Sequence, residues 1–427
     1  MKKLLIIGYV WPEPNSSAAG IRMLELVELF LANAYHVTFA SAAAPSEHRA
    51  DLLSLGVAEK AIRLNCSSFD AFIKDLMPDA VLFDRFFSEE QFGWRVERVC
   101  PMALRLLDTE DLHSLRNARF QRLKRAQKKI ANESERHIVD PVTATNEELY
   151  QDMADDDMAL REIAAIYRSD LTLIISQAEI SLLTENFSVP PHLLHYCPFL
   201  NITLPPQSQW PLFSERAYFV AIGNFRHEPN WDAVVYLKQA IWPLIRARLP
   251  HAELHIYGAY PPPKATQLDN PTHGFLVKGW ADDALSVMQK ARVCLAPLRF
   301  GAGIKGKLID AMRAGTPSVT TSIGAEAMTG CLPWGGAVEN TALTFAAAAV
   351  SLYNDEILWQ RSQSQGLRIL KEYFFQTDYA QELMTRIKFL DANLVVERQN
   401  NFVGAMLRHH SHKSTQYMSQ WIEAKNQ

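Results

Sequence analysis

One stretch in the second half of the chain, residues 293–324, constrains the fold more than any other. Its apolar run at 293–298 is long enough for a buried strand. A loop with three glycines follows, and residues 307–314 have the apolar spacing of a helix that ends at Gly315. A further strand is predicted from residue 318. This order is typical of a parallel α/β sheet, in which ligands lie beyond the carboxyl ends of the strands.

The loop and the helix of this stretch carry residues that suit a nucleotide. Gly301 and Gly303 allow the backbone to approach a ligand closely, and Lys305 and Lys307 add positive charge at a helix N-terminus. Lys307 and Asp310 are three positions apart, so they share one face of the helix. A lysine for a phosphate and a carboxylate for a ribose diol predict a nucleotide site. The alternative is a glycine-rich turn between buried elements.

The α/β pattern occurs in both halves of the chain. The first half is predicted to contain strands at 3–9, 36–41, 79–84, 102–107 and 171–176, and the pattern restarts at 217–223. A proline-rich polar segment at about 201–215 lies between the halves. We therefore predict an α/β fold of two doubly wound, Rossmann-like domains that face a cleft, with residues 1–205 and 206–395, followed by a helical tail at 396–427 that packs back on the body.

Composition excludes several classes of protein. The net charge of −4 gives no indication of a nucleic-acid partner. The five cysteines are scattered and odd in number, which favours a reducing compartment and argues against a zinc site. The first apolar run is too short for a signal peptide, and no run reaches the length of a transmembrane helix. We expect a cytoplasmic protein. His409, His410 and His412 lack acidic or cysteine partners nearby, so we expect a surface cluster and no metal site.

Two loops of the first half are candidate ligand sites. The loop at 15–20 joins the first strand to its helix, and its small residues, which end at Gly20, permit close approach. Asp108 and His113 follow the strand at 102–107, where charged groups are easier to expose in a cleft than to bury. Glu110, in the same loop, is expected to face solvent. A capping or core histidine and a plain connecting loop are the alternatives.

A basic segment follows this loop. Residues 116–129 contain seven arginines and lysines and no acidic residue. They predict an amphipathic helix that contacts an anionic membrane surface or a phosphate-bearing acceptor. The alternative is a solvated face that the acidic stretch at 147–162 neutralises. In the second half, Arg226 has the planar fork that suits a phosphate, unless it pairs with a neighbouring carboxylate.

Three segments, at 223–233, 297–317 and 320–326, resemble the donor-binding half of GT-B glycosyltransferases of the family-4 type, also called glycosyl transferases group 1. The resemblance implies a nucleotide-sugar donor on the C-terminal domain and a glycan or lipid-linked acceptor mainly on the N-terminal one. It also implies retention of the anomeric configuration without an obligatory metal. No cofactor is expected, because the nucleotide sugar would be a substrate.

The resemblance also assigns roles to residues. It places five of them at the donor diphosphate: Gly20, Arg226, Gly301, Gly303 and Lys307. Asp310 would hydrogen-bond the ribose, and His113 would line the reaction centre as the catalytic residue. Many members carry two glutamates eight positions apart, where this chain has Ala302 and Asp310. The first of these carboxylates is the expected partner of the sugar hydroxyls.

The leading interpretation is therefore a hexosyltransferase-type enzyme of polysaccharide biosynthesis, which transfers a sugar to a growing glycan or glycolipid. It would be cytoplasmic and peripheral to the inner face of the cell membrane, with the basic segment 116–129 as its membrane contact. An epimerase or phosphorylase on the same fold is one alternative. A non-catalytic subunit that binds a partner through the basic helix is another, because the first motif carboxylate is missing.

Overall fold

The computed structural model describes residues 1–204, 206–375 and 378–426, and these form two parallel sheets. The strands of the first sheet are β1 Lys2–Gly8, β2 Tyr35–Ser41, β3 Ala58–Ala61, β4 Ala80–Asp84, β5 Leu104–Asp108, β6 Leu171–Ile174 and β7 Leu194–Tyr196. The strands of the second sheet are β8 Ala217–Ile222, β9 Leu254–Tyr257, β10 Phe275–Gly279, β11 Ala291–Ala296, β12 Ser318–Thr320 and β13 Gly336–Val338.

Helices cover both sheets. Those of the first half are α1 Ala18–Ala32, α2 Ser68–Leu76, α3 Arg85–Val99, α4 His113–Lys128, α5 Asn146–Met153, α6 Asp157–Arg168 and α7 Gln177–Ser181. Those that follow β8 are α8 Glu228–Tyr236, α9 Trp242–Arg248, α10 Pro263–Thr266, α11 Ala284–Lys290, α12 Gly306–Arg313, α13 Ser322–Ala325, α14 Ala342–Asn354 and α15 Glu356–Ile369. The last three are α16 Asp378–Asn400, α17 Phe402–Leu407 and α18 Lys413–Lys425.

The strand order is doubly wound in both sheets. It runs β3-β2-β1-β4-β5-β6-β7 in the first sheet and β10-β9-β8-β11-β12-β13 in the second. The order reverses beside β1 and beside β8, and ligands bind at such switch points because the flanking loops diverge there. The predicted fold of two Rossmann-like α/β domains is confirmed.

The first strand shows why the sequence specifies these sheets. Leu5 and Ile7 of β1 pack in one buried core, whereas Leu4 and Ile6 pack in another on the opposite face. A strand covered by helices on both faces needs an unbroken apolar run rather than an alternating one. The edge strands β3, β7 and β13 are short and less apolar, and the sequence did not predict them.

Helix α3 begins at Arg85, before the residues whose composition suits an N-terminal cap. Ser88 and its acidic neighbours have the composition of an N-terminal cap, but the helix starts at Arg85 and Ser88 is buried within it. The carboxylate of Asp84, just before the helix, accepts a hydrogen bond from the Tyr9 amide at 2.9 Å. The Ser88 side chain therefore packs inside the domain, within the helix rather than at its N-terminus.

The chain returns to the first domain at its end. Five residues of α16 pack in the same core as β1 and β2: Leu383, Met384, Ile387, Leu390 and Leu394. The predicted second domain extended to residue 395, but this helix lies on the first sheet. A single domain boundary in the chain cannot describe this arrangement, because α16 packs on strands that are far from it in the sequence. The other predicted boundary, Pro205, lies outside the described residues.

The tail helices α17 and α18 lie against α6 and α3. His412 is buried there, with Nδ1 at 2.5 Å from a Glu97 oxygen and Nε2 at 3.2 Å from a Glu89 oxygen. Burial lowers the pKa of His412, but its hydrogen bonds to Glu89 and Glu97 outweigh burial and raise this pKa above its usual value. His409 and His410 are exposed whereas His412 is buried, so the three tail histidines do not form one surface cluster.

Two kinds of feature are absent from the described residues. No group of histidine, cysteine, aspartate or glutamate side chains among them is arranged to hold a metal ion. No helix among them is long and apolar enough to cross a membrane.

A buried ion pair ties the first helix to the first sheet. Arg22 of α1 is 1% exposed, and its Nη2 lies 2.6 Å from Oδ1 of Asp108, which ends β5. The same guanidinium donates to the carbonyl oxygens of Cys197 and Pro198. It therefore holds together α1, β5 and the chain that leaves β7.

Replacing Arg22 with alanine should destabilise the protein by about 3–5 kcal/mol, because it leaves the Asp108 carboxylate buried without its partner. Chemical denaturation of the full chain followed by circular dichroism would measure the loss. The matched control is Arg361→Ala in α15, where the arginine is exposed and a change within about 0.5 kcal/mol is expected. Equal stability of both variants would contradict the role of the pair.

Candidate functional site

The two domains meet where the carboxyl ends of their central strands face each other. The loop before α12 and the first turn of α12 touch the first domain closely. A Cβ atom built on Gly306 would lie 2.7 Å from Cβ of Ala18 in α1, and one built on Gly303 would lie 2.9 Å from Cβ of Asp111. Real Cβ atoms do not approach so closely. Glycine at both positions therefore permits the observed closed arrangement.

Lys307 lies in the first turn of α12, among polar groups from both domains. Its Nζ donates to Oδ1 of Asn230 at 2.6 Å. Asn230 in turn donates to the carbonyl of Asn224, whose own amide donates to Oγ of Ser16 in the first domain, both at 2.9 Å. Burial lowers the pKa of Lys307 to about 8. An anion beside it would offset the cost of keeping this charge in the cleft.

Arg226 lies in the loop between β8 and α8, with its side chain exposed. Its guanidinium stacks over the ring of Tyr260, 3.5 Å from the centroid. The Tyr260 hydroxyl donates to Glu13 of the first domain at 2.8 Å. Stacking of this kind leaves the guanidinium N–H groups able to bind an anion. Within the described residues, no ion pair joins Arg226 to a carboxylate, and its guanidinium contacts the Tyr260 ring instead.

Asp310 is three residues after Lys307 on α12. Its Oδ1 accepts a hydrogen bond from Nη1 of Arg313 at 3.0 Å, and burial raises the pKa of the Asp310 carboxyl above its usual value. The family resemblance implies a glutamate at the position where this chain has Ala302. It is 7% exposed and packs in a core cluster of the first domain. A longer, charged side chain at 302 would have to be buried there, so alanine fits this seam.

The glycine loop is bonded to the first domain rather than open to the cleft. The amide of Gly303 donates to Oε1 of Glu179 at 2.7 Å, and the carbonyl of Gly301 accepts from Arg119 at 2.8 Å. Arg119 also pairs with Glu326 at 2.5 Å. The family resemblance implies that both glycines approach the donor diphosphate. The structure places them on the seam between the domains, where the Gly303 amide already has a carboxylate acceptor.

Gly20 lies in the first turn of α1. A Cβ built on it would lie 2.3 Å from the carbonyl oxygen of Glu13. This glycine therefore lets the loop that follows β1 fold back against its own helix. The loop itself reaches the second domain through Ser16 and Glu13, so the close approach at Gly20 shapes the part of the site that those residues form.

His113 is the first residue of α4, at the mouth of the first sheet. Its ring lies edge-on to Phe86 and Phe87, with centroids 5.9 and 5.3 Å away. Its Nε2 is 3.7 Å from a carboxylate oxygen of Asp111. Burial and the nearby arginines lower the pKa of His113 to about 3 despite Asp111, so the ring is neutral near pH 7. Neutral imidazole has one donor and one acceptor for a ligand hydroxyl.

A buried glutamate binds the backbone amides at the start of α4. The amides of His113 and Ser114 donate to Glu162 of α6 at 3.0 and 2.9 Å. Burial raises the pKa of Glu162 to about 7. This glutamate takes the place of a local cap at the N-terminus of α4. It was not predicted, because it is 49 residues away from His113 in the chain.

Two strained residues at the same sheet edge were also missed. Arg85 follows β4 with a φ of 67°, and Glu110 follows β5 with a φ of 60°. Left-handed backbone is costly for residues other than glycine and is concentrated at functional sites. The expectation that Glu110 faces solvent is wrong: it is 9% exposed and 3.9 Å from Arg22. Burial and the charge of Asp108 raise its pKa well above the usual value.

The arginines of the basic helix α4 have carboxylate partners within the protein. Arg116 binds Asp111, Arg119 binds Glu326, and the pair Arg122 and Arg125 bind Asp152. Asp152 lies in the acidic stretch 147–162, which the sequence offered as the partner that neutralises the basic helix. Four of its arginines therefore already bind carboxylates of the protein, whereas Lys124, Lys128 and Lys129 stay exposed, and the contact with a membrane or an acceptor remains a prediction.

Known proteins share this architecture. Residues 216–355 match the family model described as glycosyl transferases group 1. No curated protein matches the sequence. Solved structures match it at low identity. Sucrose-phosphate synthase from Thermosynechococcus elongatus is 17% identical, with a TM-score of 0.62 over 92% of this chain and 100% of that one.

Two further structures match to a similar extent. Anabaena HepE in complex with UDP-glucose is 10% identical, with a TM-score of 0.61 over 91% of this chain and 100% of that one. S. aureus TarM is 10% identical, with a TM-score of 0.62 over 90% of this chain and 98% of that one; in a second TarM structure the match spans 58% of that chain. The GT-B fold and the resemblance to glycosyl transferases group 1 are confirmed.

Glu179 should make the stability of the closed protein depend on pH. It is fully buried, and burial raises its pKa to about 8. The folded protein then holds a proton that the unfolded chain releases, so stability should fall as pH rises from about 5 through 8, by at most about 1.4 kcal/mol per pH unit. In Glu179→Gln, the amide oxygen still accepts from Gly303 and Leu112, and this fall should be shallower.

The apparent melting temperature at a series of pH values would test this. The matched control is Glu185→Gln, at an exposed position four residues after the end of α7. Its melting temperature should depend on pH as that of the parent does. A parallel pH dependence in parent and Glu179→Gln would show that Glu179 does not titrate as described.

Proposed function

We propose that this chain, whose residues 216–355 match the glycosyl transferases group 1 model, is a glycosyltransferase that moves a sugar from a nucleotide-sugar donor to a glycan or glycolipid acceptor. One observation carries the proposal: Lys307 and Arg226 of the second domain lie at the mouth of their sheet, facing the sheet edge that holds His113. Cations on one wall and a neutral imidazole on the other suit the transfer of a group from a diphosphate.

The donor side follows from charge. When the bond between sugar and diphosphate breaks, the diphosphate gains negative charge, and preorganised cations stabilise that charge most. Lys307 adds its ammonium group to the N-terminus of α12, where the first-turn amides lack partners within the helix. Arg226 adds a guanidinium held flat on Tyr260. Asp310, one turn along the same helix, is the proposed ribose ligand, and it would exchange its bond to Arg313 for the diol.

The acceptor side follows from the edge of the first sheet. His113, with its lowered pKa, offers a hydrogen bond to a sugar hydroxyl without adding charge. Tyr9 is about half exposed beside it, with Arg85 over its ring at 5.1 Å and Phe87 at 5.6 Å. Aromatic faces with a nearby guanidinium suit a sugar ring and its hydroxyls. We place the acceptor against these residues.

We extend the proposal to two finer points that the family resemblance implies, namely retention of the anomeric configuration and activity without a metal. Nuclear magnetic resonance of the first product formed would report its anomer. Activity in the presence of a chelator would report the need for a metal.

Lys307→Ala should lower the rate of sugar transfer by about a hundredfold or more, because one preorganised charge on the leaving group is lost. Binding of nucleoside diphosphates should weaken as well. A thermal-shift panel of UDP, GDP, ADP and dTDP with their sugars would identify the donor, and product analysis would then give the rate. The control is Lys290→Ala in α11, at an exposed position. Unchanged turnover in Lys307→Ala would show that the donor site is elsewhere.

The same panel separates the alternatives. An epimerase would convert the donor in the absence of any acceptor, and a phosphorylase would require inorganic phosphate. A non-catalytic subunit would bind nucleotide and give no product with any donor.

Nucleoside diphosphate affinity should fall as pH rises above about 8, because Lys307 loses its charge there in the free protein. In Lys307→Arg the guanidinium stays protonated, so this fall should be absent even if the affinity itself is lower. Calorimetric titration with the nucleotide at several pH values would measure both. An identical pH dependence in the two proteins would assign the titration to another group.

A further inference from the structure

The last helices of the chain have an outer face that the proposed function does not use. Helix α17, the π-helical turn Arg408–His412 and helix α18 run on as one continuous helix from residue 402 to 425. Its inner face carries the buried residues Gly404, Arg408, His412 and Ser419. These positions are four, four and seven apart, so one stripe of the helix packs on the first domain.

The outer face is apolar and aromatic to an unusual degree. Six large apolar side chains are exposed along it: Phe402, Val403, Met406, Tyr417, Met418 and Trp421. Phe402 is 75% exposed, Tyr417 66% and Trp421 60%. The helix before it ends with the exposed residues Val395 and Val396. A monomeric protein rarely leaves so many large apolar side chains together on one element without a partner.

The charge on this outer face has one sign. The exposed lysine and histidine side chains between residues 402 and 426, all of them described, are Lys413, Lys425, His409 and His410. Glu423 is the only acidic residue in this range, and its carboxylate accepts hydrogen bonds from the amide and hydroxyl of Ser67 at 2.8 and 2.6 Å. Glu423 is therefore bonded to Ser67 of the first domain, and the charge on the outer face is positive.

We propose that this outer face, defined by residues 402–425, binds the surface of an anionic lipid bilayer. A helix that lies in a membrane interface has apolar and aromatic side chains on one face together with lysines, and tryptophan and tyrosine favour the headgroup level. Here Trp421 lies under Lys425, with Nζ 5.2 Å from its ring centroid. Tyr417 lies one turn before Trp421 and one turn after Lys413.

Charge distinguishes this occupant from a second copy of the chain. Two copies joined through this face would bring their lysines together without an exposed acidic partner from the same element. The whole protein has a net charge of −4, so its attraction to an anionic surface has to be local. Lipid phosphates close to the face would act within about one Debye length, 8–10 Å at ordinary salt.

Flotation of the full-length protein with lipid vesicles would test the proposal. The protein should float with vesicles of equal parts phosphatidylcholine and phosphatidylglycerol, and much less with phosphatidylcholine alone. The double variant Phe402→Ser/Trp421→Ser should reduce the bound fraction on the order of tenfold or more. Lys413→Glu/Lys425→Glu should remove the preference for the anionic vesicles, since each lysine near such a surface contributes about fivefold.

Two controls match these variants. Ile357→Ser removes an exposed isoleucine of α15, and Lys371→Glu reverses an exposed lysine in the second domain. Both should float like the parent. The tail variants replace outward side chains only, so their melting temperatures and their nucleotide binding should equal those of the parent, which keeps this test separate from that of the transferase proposal.

The proposal would be overturned if the parent stayed with the unbound fraction in the presence of anionic vesicles. Equal flotation of the tail variants and the parent would overturn it too. Analytical ultracentrifugation without lipid gives the remaining outcome: a dimer that Phe402→Ser/Trp421→Ser dissociates would assign the face to a second copy of the chain.

Discussion

The close contact between the first turns of α12 and α1 is the constraint on which the cleft depends. A Cβ at position 306 would lie 2.7 Å from that of Ala18, so glycine is needed for the two helices to meet. This contact brings the cations of the second domain opposite the edge of the first sheet. Without it, Lys307 and His113 would belong to two separate surfaces, and neither surface alone has the groups that a transfer reaction needs.

Electrostatics explains the ionic groups at the seam, which lie beside an apolar cluster that both domains share. Strand ends of the first sheet bring Asp84, Asp108 and Glu110 together, and burial raises the pKa of Asp84 and Glu110. Such a cluster is costly unless cations compensate it, and Arg22 provides the compensation within the domain. Between the domains, Arg119 and Glu326 pair and Glu179 accepts from the Gly303 amide. The two bonds between the domains therefore depend on the closed arrangement.

The end of the chain supports the first domain rather than the second. Helix α16 closes a core of the first sheet, and His412 is fixed between two glutamates of α3. The inner face of the tail is therefore well anchored, which explains how its outer face can carry exposed apolar side chains without loss of structure. An anchored helix with a cationic, aromatic outer face is a surface prepared for binding rather than a frayed terminus.

Much of this protein could be read from its sequence, because the decisive patterns are local. Apolar runs such as Leu4–Ile7 specify parallel strands, and the glycines, lysines and aspartate at 301–310 specify a strand, loop and helix that suit a nucleotide. The positions of Lys307, Arg226 and His113 at the two sheet mouths follow from those patterns. Their proposed roles at donor and acceptor rest on chemistry that the sequence already contained.

Only the tertiary structure decided which groups pair with which. The basic helix α4 reads as a free cationic face, but its arginines bind Asp111, Asp152 and Glu326, which are up to 207 residues away in the chain. Glu110 reads as a surface residue, but a left-handed turn places it beside Arg22. Local periodicity contains no information about partners so distant. The sequence determines the elements and their chemistry, whereas burial and long-range contacts determine which charges remain available to a ligand.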